Sequence, residues 1–128
     1  MEKQRWKARV NVMRYIYMIT MNDLVNEKSI IDDALHNHNF DAFQLKIIEY
    51  YAQHREQIIK LLAARLSKNW TWDRISKVDQ AVLICAYCEA KAIATDKKII
   101  IDQSLLTIKH YADPQSTAYI NAILDKVI

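Results

Sequence analysis

Residues 116–127 have the sequence STAYINAILDKV, in which apolar side chains recur at helical spacing. The apolar positions are 119, 120, 123, 124 and 127, which form one wide face when successive residues are about 100° apart. Asn121, Asp125 and Lys126 lie off that face. The stretch therefore predicts an amphipathic helix whose apolar face packs against a protein core.

The same spacing recurs upstream through almost the whole chain. We predict about seven helices, over residues 3–21, 27–37, 41–53, 54–68, 75–93, 97–111 and 115–127. Several starts have a capping residue: Asn39 precedes one helix, Ser76 and Asp79 have the spacing of a capping box, and Asp113 precedes Pro114. No linker or repeat divides the 128 residues, so we expect one all-α domain over residues 1–128.

The composition excludes several classes of protein. The chain has no glycine and a single proline, Pro114. Tight β-hairpins depend on glycine to reach positive φ angles, so a β-sandwich or barrel is not expected. The glycine-rich loops that bind the phosphates of nucleotides are excluded for the same reason.

The residues that usually carry catalysis or bind metals are dispersed. The four histidines form no H-E-x-x-H motif, and Cys85 and Cys88 form a single C-x-x-C within a predicted helix, where core packing is expected. We therefore expect no enzyme activity, no metal and no cofactor. The longest apolar stretch, residues 81–94, is too short to span a membrane and contains Glu89 and Lys91, so a soluble cytoplasmic protein is expected.

Basic residues are concentrated at the N-terminus. Five cations fall within the first fourteen residues, against the single acid Glu2: Lys3, Arg5, Lys7, Arg9 and Arg14. Lys3, Lys7, Asn11 and Arg14 form one polar row on a helix, and Arg5 and Arg9 form a second. Such a cluster can contact several phosphates, and Trp6 can stack on an unpaired base. The alternative is a solvated helix end, although cations there oppose the helix dipole.

Three stretches in the second half of the chain resemble motifs of the NusB family. Residues 70–83, WTWDRISKVDQAVL, resemble the family's tryptophan and arginine followed by V-D/E-x-A-[IV]-L. Residues 98–103, KIIIDQ, resemble K-V-x-I-N-E. Residues 116–126 resemble S-x-x-F-V-N-G-V-L-D-K. The ordered set makes the resemblance specific, although no single motif is decisive.

Two further matches extend the resemblance. Ala8-Arg9 followed by Ile16-Tyr17 resembles the family opening R-x-x-A-R…A-x-x-x-L-Y, and Glu89 matches the acid that ends A-x-Y-E. Residues 22–65 resemble the family only in length and helicity. Trp6, Ile84 and Ala118 depart from the pattern, because basic residues are frequent in the family at these positions.

The resemblance implies an all-α fold of two packed helical bundles and a role in transcription antitermination. Family members bind boxA RNA together with the ribosomal protein NusE and help RNA polymerase to read through terminators in ribosomal RNA operons. Carried over by position, the RNA-binding residues would be Arg5, Trp6, Lys7, Arg9, Tyr17, Ser116 and Tyr119. The residues that contact NusE would be Asp79 and Glu89. The alternative roles are a capping residue for Asp79 and an exposed helix charge for Glu89.

Two other functions are compatible with the residues. The chain could be a stand-alone module that binds rRNA without NusE, since the same fold occurs as an appended domain in an rRNA cytosine methyltransferase. It could also be a protein-interaction bundle whose basic end meets an acidic partner. Some relatives dimerise through the RNA-binding face, so the sequence leaves a monomer and a homodimer open.

Overall fold

The structure is a computed structural model that describes residues 2–22 and 24–128, with the side chains of Glu2 and Lys3 left out. The cation predicted at Lys3 thus lies outside the described part. Within it the chain forms six α-helices: α1 (Glu2–Thr20), α2 (Glu27–His36), α3 (Ala42–Ala63), α4 (Lys77–Ala92), α5 (Lys97–Tyr111) and α6 (Thr117–Val127). Two 3-10 turns, Trp72–Arg74 and Pro114–Ser116, precede α4 and α6.

Helix α4 is the centre of the molecule. Every residue from Asp79 to Glu89 is buried, as expected for a helix that is apolar on most of its surface. On one side α4 packs against α1 and α3, and α2 packs on α3. On the other side it packs against α5 and α6. The fold therefore consists of two groups of helices that share α4, in agreement with the predicted pair of bundles.

The helix starts are fixed by side chains that accept hydrogen bonds from free backbone N–H groups. Asn26 and Asp41 each form a reciprocal capping box, with Ser29 and Gln44 respectively. The predicted cap at Asn39 is therefore wrong, because Asp41 lies next to the helix and takes that role. Ser76 caps α4 as predicted, and Asp113 caps the turn that begins with Pro114.

Helix α3 takes the place of two predicted helices. The sequence predicted separate helices over 41–53 and 54–68, whereas one helix runs from Ala42 to Ala63 with non-helical angles at His54. The His54 ring bonds the carbonyl of Tyr50 at 3.0 Å, so the break is bridged locally. The predicted boundary marks a kink, which is why the chain has six helices in its described part.

The loop after α4 contains an unusual backbone conformation. Ala94 has φ of 62°, in the left-handed region that favours glycine. Its N–H and that of Ile93 both donate to the carbonyl of Glu89, which closes the end of the helix. The chain supplies no glycine here, so the turn costs conformational energy.

Candidate nucleic-acid interface

The outer face of α1 presents exposed cations. Lys7, Asn11 and Arg14 are all exposed, in agreement with the polar row predicted from their spacing. Arg5 is exposed as well, and its guanidinium carbon lies 4.0 Å from the centre of the Phe43 ring on α3. This cation–π contact orients Arg5 while leaving its N–H groups available to solvent or to a phosphate.

Trp6 is anchored between α1 and α5. Its indole Nε1 donates to Thr107 Oγ1 at 3.0 Å, and its ring lies 5.1 Å from His110 and 6.4 Å from Tyr111. Tyr111 is 42% exposed, and the Arg14 guanidinium carbon lies 5.2 Å from its ring centre. An aromatic group thus lies beside the exposed cations of α1, and it consists of Trp6, His110 and Tyr111. Trp6 is the half-buried member of this group.

Arg9 does not belong to the exposed cations. Its Nε and Nη2 donate to the two carboxylate oxygens of Glu89 at 2.8 and 2.9 Å, and its Nη1 donates to Gln103 at 3.2 Å. The Arg9 side chain is 12% exposed, and Glu89 is 1% exposed. The alternative role of Glu89 as an exposed helix charge is therefore wrong, because its side chain is buried where α1 and α5 pack against α4.

Asp79 is the centre of a second network. It is 4% exposed, and its Oδ2 accepts hydrogen bonds from Ser116 Oγ at 2.9 Å and from the Tyr119 hydroxyl. Its backbone N–H donates to Ser76 Oγ at 3.1 Å, which is the predicted helix cap. The reciprocal half of the capping box is absent, because the Asp79 carboxylate is directed toward α6. Within the described residues Oδ1 is buried without a hydrogen-bond partner.

Tyr119 is held in its neutral form. Burial raises the pKa of its phenol above the ordinary value, and the hydrogen bond to the Asp79 carboxylate raises that pKa further. Ser116 and Tyr119 are both half-buried, so part of each side chain reaches the surface above Asp79. The surface near Asp79 is therefore formed by the residues that the acid holds in place.

Tyr17 stands apart from the other expected RNA residues. It follows Arg5 by twelve residues, which corresponds to about 18 Å along a helix. Its side chain is half-buried against the core, and its carbonyl accepts a bond from Thr20 Oγ1. The structure thus joins Arg9 to Glu89 and Asp79 to Ser116 and Tyr119, whereas Tyr17 shares no hydrogen bond with either network among the described residues.

Sequence reasoning missed several members of this surface. They are Phe43, Gln103, Thr107, His110 and Tyr111. The one indication available was Tyr111, an aromatic side chain off the apolar face at the end of a predicted helix. The partners of Arg5 and Trp6 come from α3 and α5, and no local pattern links those positions to α1.

Among the described residues no group of three His, Cys, Asp or Glu side chains could hold a metal ion. Cys85 and Cys88 are free and buried, as the core-packing prediction required, and burial raises the pKa of both thiols. None of the helices in the described ranges is long and apolar enough to cross a membrane.

Comparison with known proteins identifies a family for this chain. The sequence pattern of the NusB family matches residues 6–128. The transcription antitermination protein NusB of Anaeromyxobacter dehalogenans (strain 2CP-1) is 31% identical over 136 residues, covering 99% of this chain and 92% of that protein. The protein of the same name from Geobacillus kaustophilus is 30% identical, covering 97% of this chain and 95% of its own.

The fold has a solved counterpart. The structure of T. maritima NusB superposes with a TM-score of 0.74 at 22% identity, covering 96% of this chain and 89% of that one. At this identity the likeness bears on the fold alone, and it agrees with the two helical groups around α4.

Proposed function

This chain belongs to the NusB family, and we propose that it is a transcription antitermination factor that binds boxA-type RNA together with NusE. It would act within the antitermination complex of RNA polymerase on ribosomal RNA operons. The observation that carries the RNA part of the proposal is the exposed cationic face of α1, bordered by Tyr111 and Trp6. Cations bind phosphates, and aromatic rings stack on unpaired bases.

The residues divide into two roles in this proposal. Arg5 and Lys7 contact RNA phosphates directly, since both are exposed. Arg9 and Trp6 position α1 against α4 and α5 through partly buried hydrogen bonds, which keeps the exposed cations of α1 in place. Tyr17 would extend the same face toward the end of α1.

NusE would bind beside the Asp79 network. A carboxylate that is 4% exposed offers little surface to a partner, so Asp79 acts through the half-buried Ser116 and Tyr119 that it holds. Glu89 likewise acts through Arg9. Because the two acids support residues expected to face RNA, the RNA and NusE surfaces would adjoin, and binding of one would favour the other.

The proposal is tested by the fluorescence anisotropy of a boxA-containing RNA, titrated at several salt concentrations with and without NusE. Weak binding that tightens on addition of NusE is expected. The slope of log K against log salt, about −0.7 per phosphate for a single strand, counts the contacts. RNA affinity that is indifferent to NusE would instead favour an independent rRNA-binding module. Binding of NusE without RNA affinity would leave a protein-interaction bundle.

A further inference from the structure

A cleft opens beside α1. It has a volume of about 380 Å³ and lies between α1 and the connection from α2 to α3. Its walls include Asn11, Arg14, Tyr15, His38, Asn39 and Phe40. None of the cleft-lining residues is acidic. Two acids are bonded to wall residues in the described part of the chain. The Asp33 carboxylate is engaged by the Tyr15 hydroxyl and by His38, and the Asp41 carboxylate by the backbone N–H of Gln44.

We propose that this cleft is a second RNA subsite that holds one unpaired nucleotide of a strand lying along α1. The proposal rests on the proposed RNA-binding function and extends it from the polar row of α1 to the connection between α2 and α3. Three features of the cleft support it: a flat ring, free amide groups and a shared cation.

The flat ring is that of His38. It lies parallel to the Phe40 ring, with 4.9 Å between the ring centres and 14° between the planes. The Tyr15 ring lies 4.9 Å from the His38 ring in a T-shaped arrangement, and His38 Nε2 lies 3.2 Å from Asp33 Oδ2. The ring is therefore fixed on several sides, while 32% of the side chain remains exposed. A fixed, partly exposed ring is a suitable platform for a base.

The amide groups belong to Asn11 and Asn39. Both residues are exposed and have no side-chain hydrogen bond within the described ranges. An amide presents a donor and an acceptor together, which matches the edge of an unpaired base. The third amide of the cleft, Gln44, is already bonded to Asp41 and Ala8, so it shapes the wall only.

The shared cation is Arg14, which lines the cleft and also belongs to the exposed row with Lys7. Lys7 and Arg14 are seven residues apart, or about 10 Å along the helix. At about 3.4 Å per phosphate in a stacked strand, that distance spans about three nucleotides. A strand bound at Lys7 can thus place a phosphate at Arg14 and its base in the cleft. A nucleic acid fits this set better than an acidic peptide, because stacking and amide pairing both serve a base.

The experiment uses the full chain with NusE present and single-stranded RNAs that contain boxA and are lengthened in steps of about three nucleotides. The unaltered protein should gain affinity at the step that reaches the cleft. His38→Ala should lose that gain, about tenfold, and bind the shorter RNAs as before. Arg14→Ala should lose the gain as well and also bind the shorter RNAs more weakly, because Arg14 belongs to the exposed cationic row of α1. His36→Ala and Lys60→Ala are matched controls outside the cleft, and both should keep the gain. If His38→Ala is poorly folded, Asn39→Ala replaces it, because that side chain is exposed and unbonded in the described structure.

Each contrary outcome has a distinct meaning. Cleft variants that follow the unaltered protein at every RNA length would overturn the subsite and leave the proposed function intact. An unaltered chain that binds no RNA of any length with NusE would overturn the proposed function and the subsite with it. Uridine monophosphate or polyglutamate that displaces the longer RNA at equal concentration would also overturn the subsite, since the ligand would then be a free nucleotide or an acidic peptide.

Discussion

Arg9 on α1 and Glu89 on α4 form a two-point ion pair across 80 residues of sequence, with N–O distances of 2.8 and 2.9 Å. Gln103 on α5 accepts a third bond from the same guanidinium, so one side chain joins three helices. The pair joins the two residues for which the resemblance implied an RNA contact and a NusE contact, and it links α1 to α4. A variant that removes one of the two residues leaves the other as a buried, unpaired charge, so its effect on binding must be separated from its effect on stability.

Arg9→Ala is expected to lower the free energy of unfolding by about 3–5 kcal/mol, because the Glu89 carboxylate would stay buried without its cation. Urea denaturation measures the change. The double variant Arg9→Met with Glu89→Met should recover most of the stability, since apolar side chains of similar volume replace the pair. A double variant as unstable as the single one would contradict the assignment of the loss to the unpaired charge.

Arg5→Ala combined with Lys7→Ala is expected to weaken RNA binding and leave stability within about 0.5 kcal/mol per site, since both residues are exposed. The magnitude of the log–log salt slope should fall by about 1.4, or 0.7 for each lost phosphate contact. Lys60→Ala, an exposed lysine on α3, is the control for charge alone. If the folded double variant binds RNA with unchanged affinity, the N-terminal part of α1 is not in the site.

Tyr119→Phe is expected to cost about 1–3 kcal/mol of stability, because Asp79 would lose a donor in a buried setting. The cap of α4 should survive, since it depends on the backbone N–H of Asp79. NusE binding, measured by calorimetry, should weaken as well if Asp79 acts through this hydroxyl. Thr117→Ala serves as a control on the same helix, because its hydroxyl bonds only the nearby Pro114 carbonyl in the described structure. Equal NusE affinity of Tyr119→Phe and the unaltered chain would remove the hydroxyl from the partner surface.

Alkaline conditions are expected to destabilise the protein through its buried thiols. Burial raises the pKa of Cys85 and Cys88 in the folded state above the ordinary value of 9.0. The unfolded chain therefore releases protons above about pH 9 that the folded chain retains, so stability is full below that pH and falls as pH rises. At pH 10 the loss is about 1.4 kcal/mol per thiol. Denaturation at pH 7 and pH 10 should show a smaller difference for Cys85→Ala than for the unaltered chain, and an equal difference would be the contrary result.

Ala94→Gly is expected to stabilise the protein by about 1 kcal/mol. Ala94 adopts a left-handed φ of 62°, where a Cβ atom is unfavourable and glycine is not. The gain is reduced by the greater freedom of glycine in the unfolded chain. Thermal denaturation measures the effect, and Ala90→Gly within α4 should be destabilising by contrast. A lower melting temperature for Ala94→Gly would show that the turn is not strained.

The bounds of the helices could be predicted closely where local chemistry sets them. The helix over 97–111 begins and ends as predicted. Ser76 caps α4, and Asp113 caps the turn that begins with Pro114, as predicted. The helix bounds were predicted least well where tertiary packing overrides the local sequence pattern. Ala42–Ala63 continues through its kink, and residues 64–68 are not helical.

The candidate site was predicted only in part. The exposure of Lys7, Asn11 and Arg14 follows from the helical period, so it could be known in advance. Their aromatic neighbours could not be predicted in this way, because Tyr111 and His38 come from other helices and loops. The resemblance pointed to Asp79 and Glu89, but neither their burial nor their hydrogen-bond partners were evident from spacing.

The sequence by itself determined that the chain is helical, where most helices begin, which faces are apolar and to which family it belongs. The tertiary structure decided which polar side chains meet: Trp6 with Thr107, Arg9 with Glu89, and Asp79 with Tyr119. These pairs are separated by 101, 80 and 40 residues. Helix formation depends on side chains a few positions apart, whereas such pairs depend on how whole helices pack around α4. The helical position of a cation therefore does not decide whether it is an exposed charge or the partner of a buried acid.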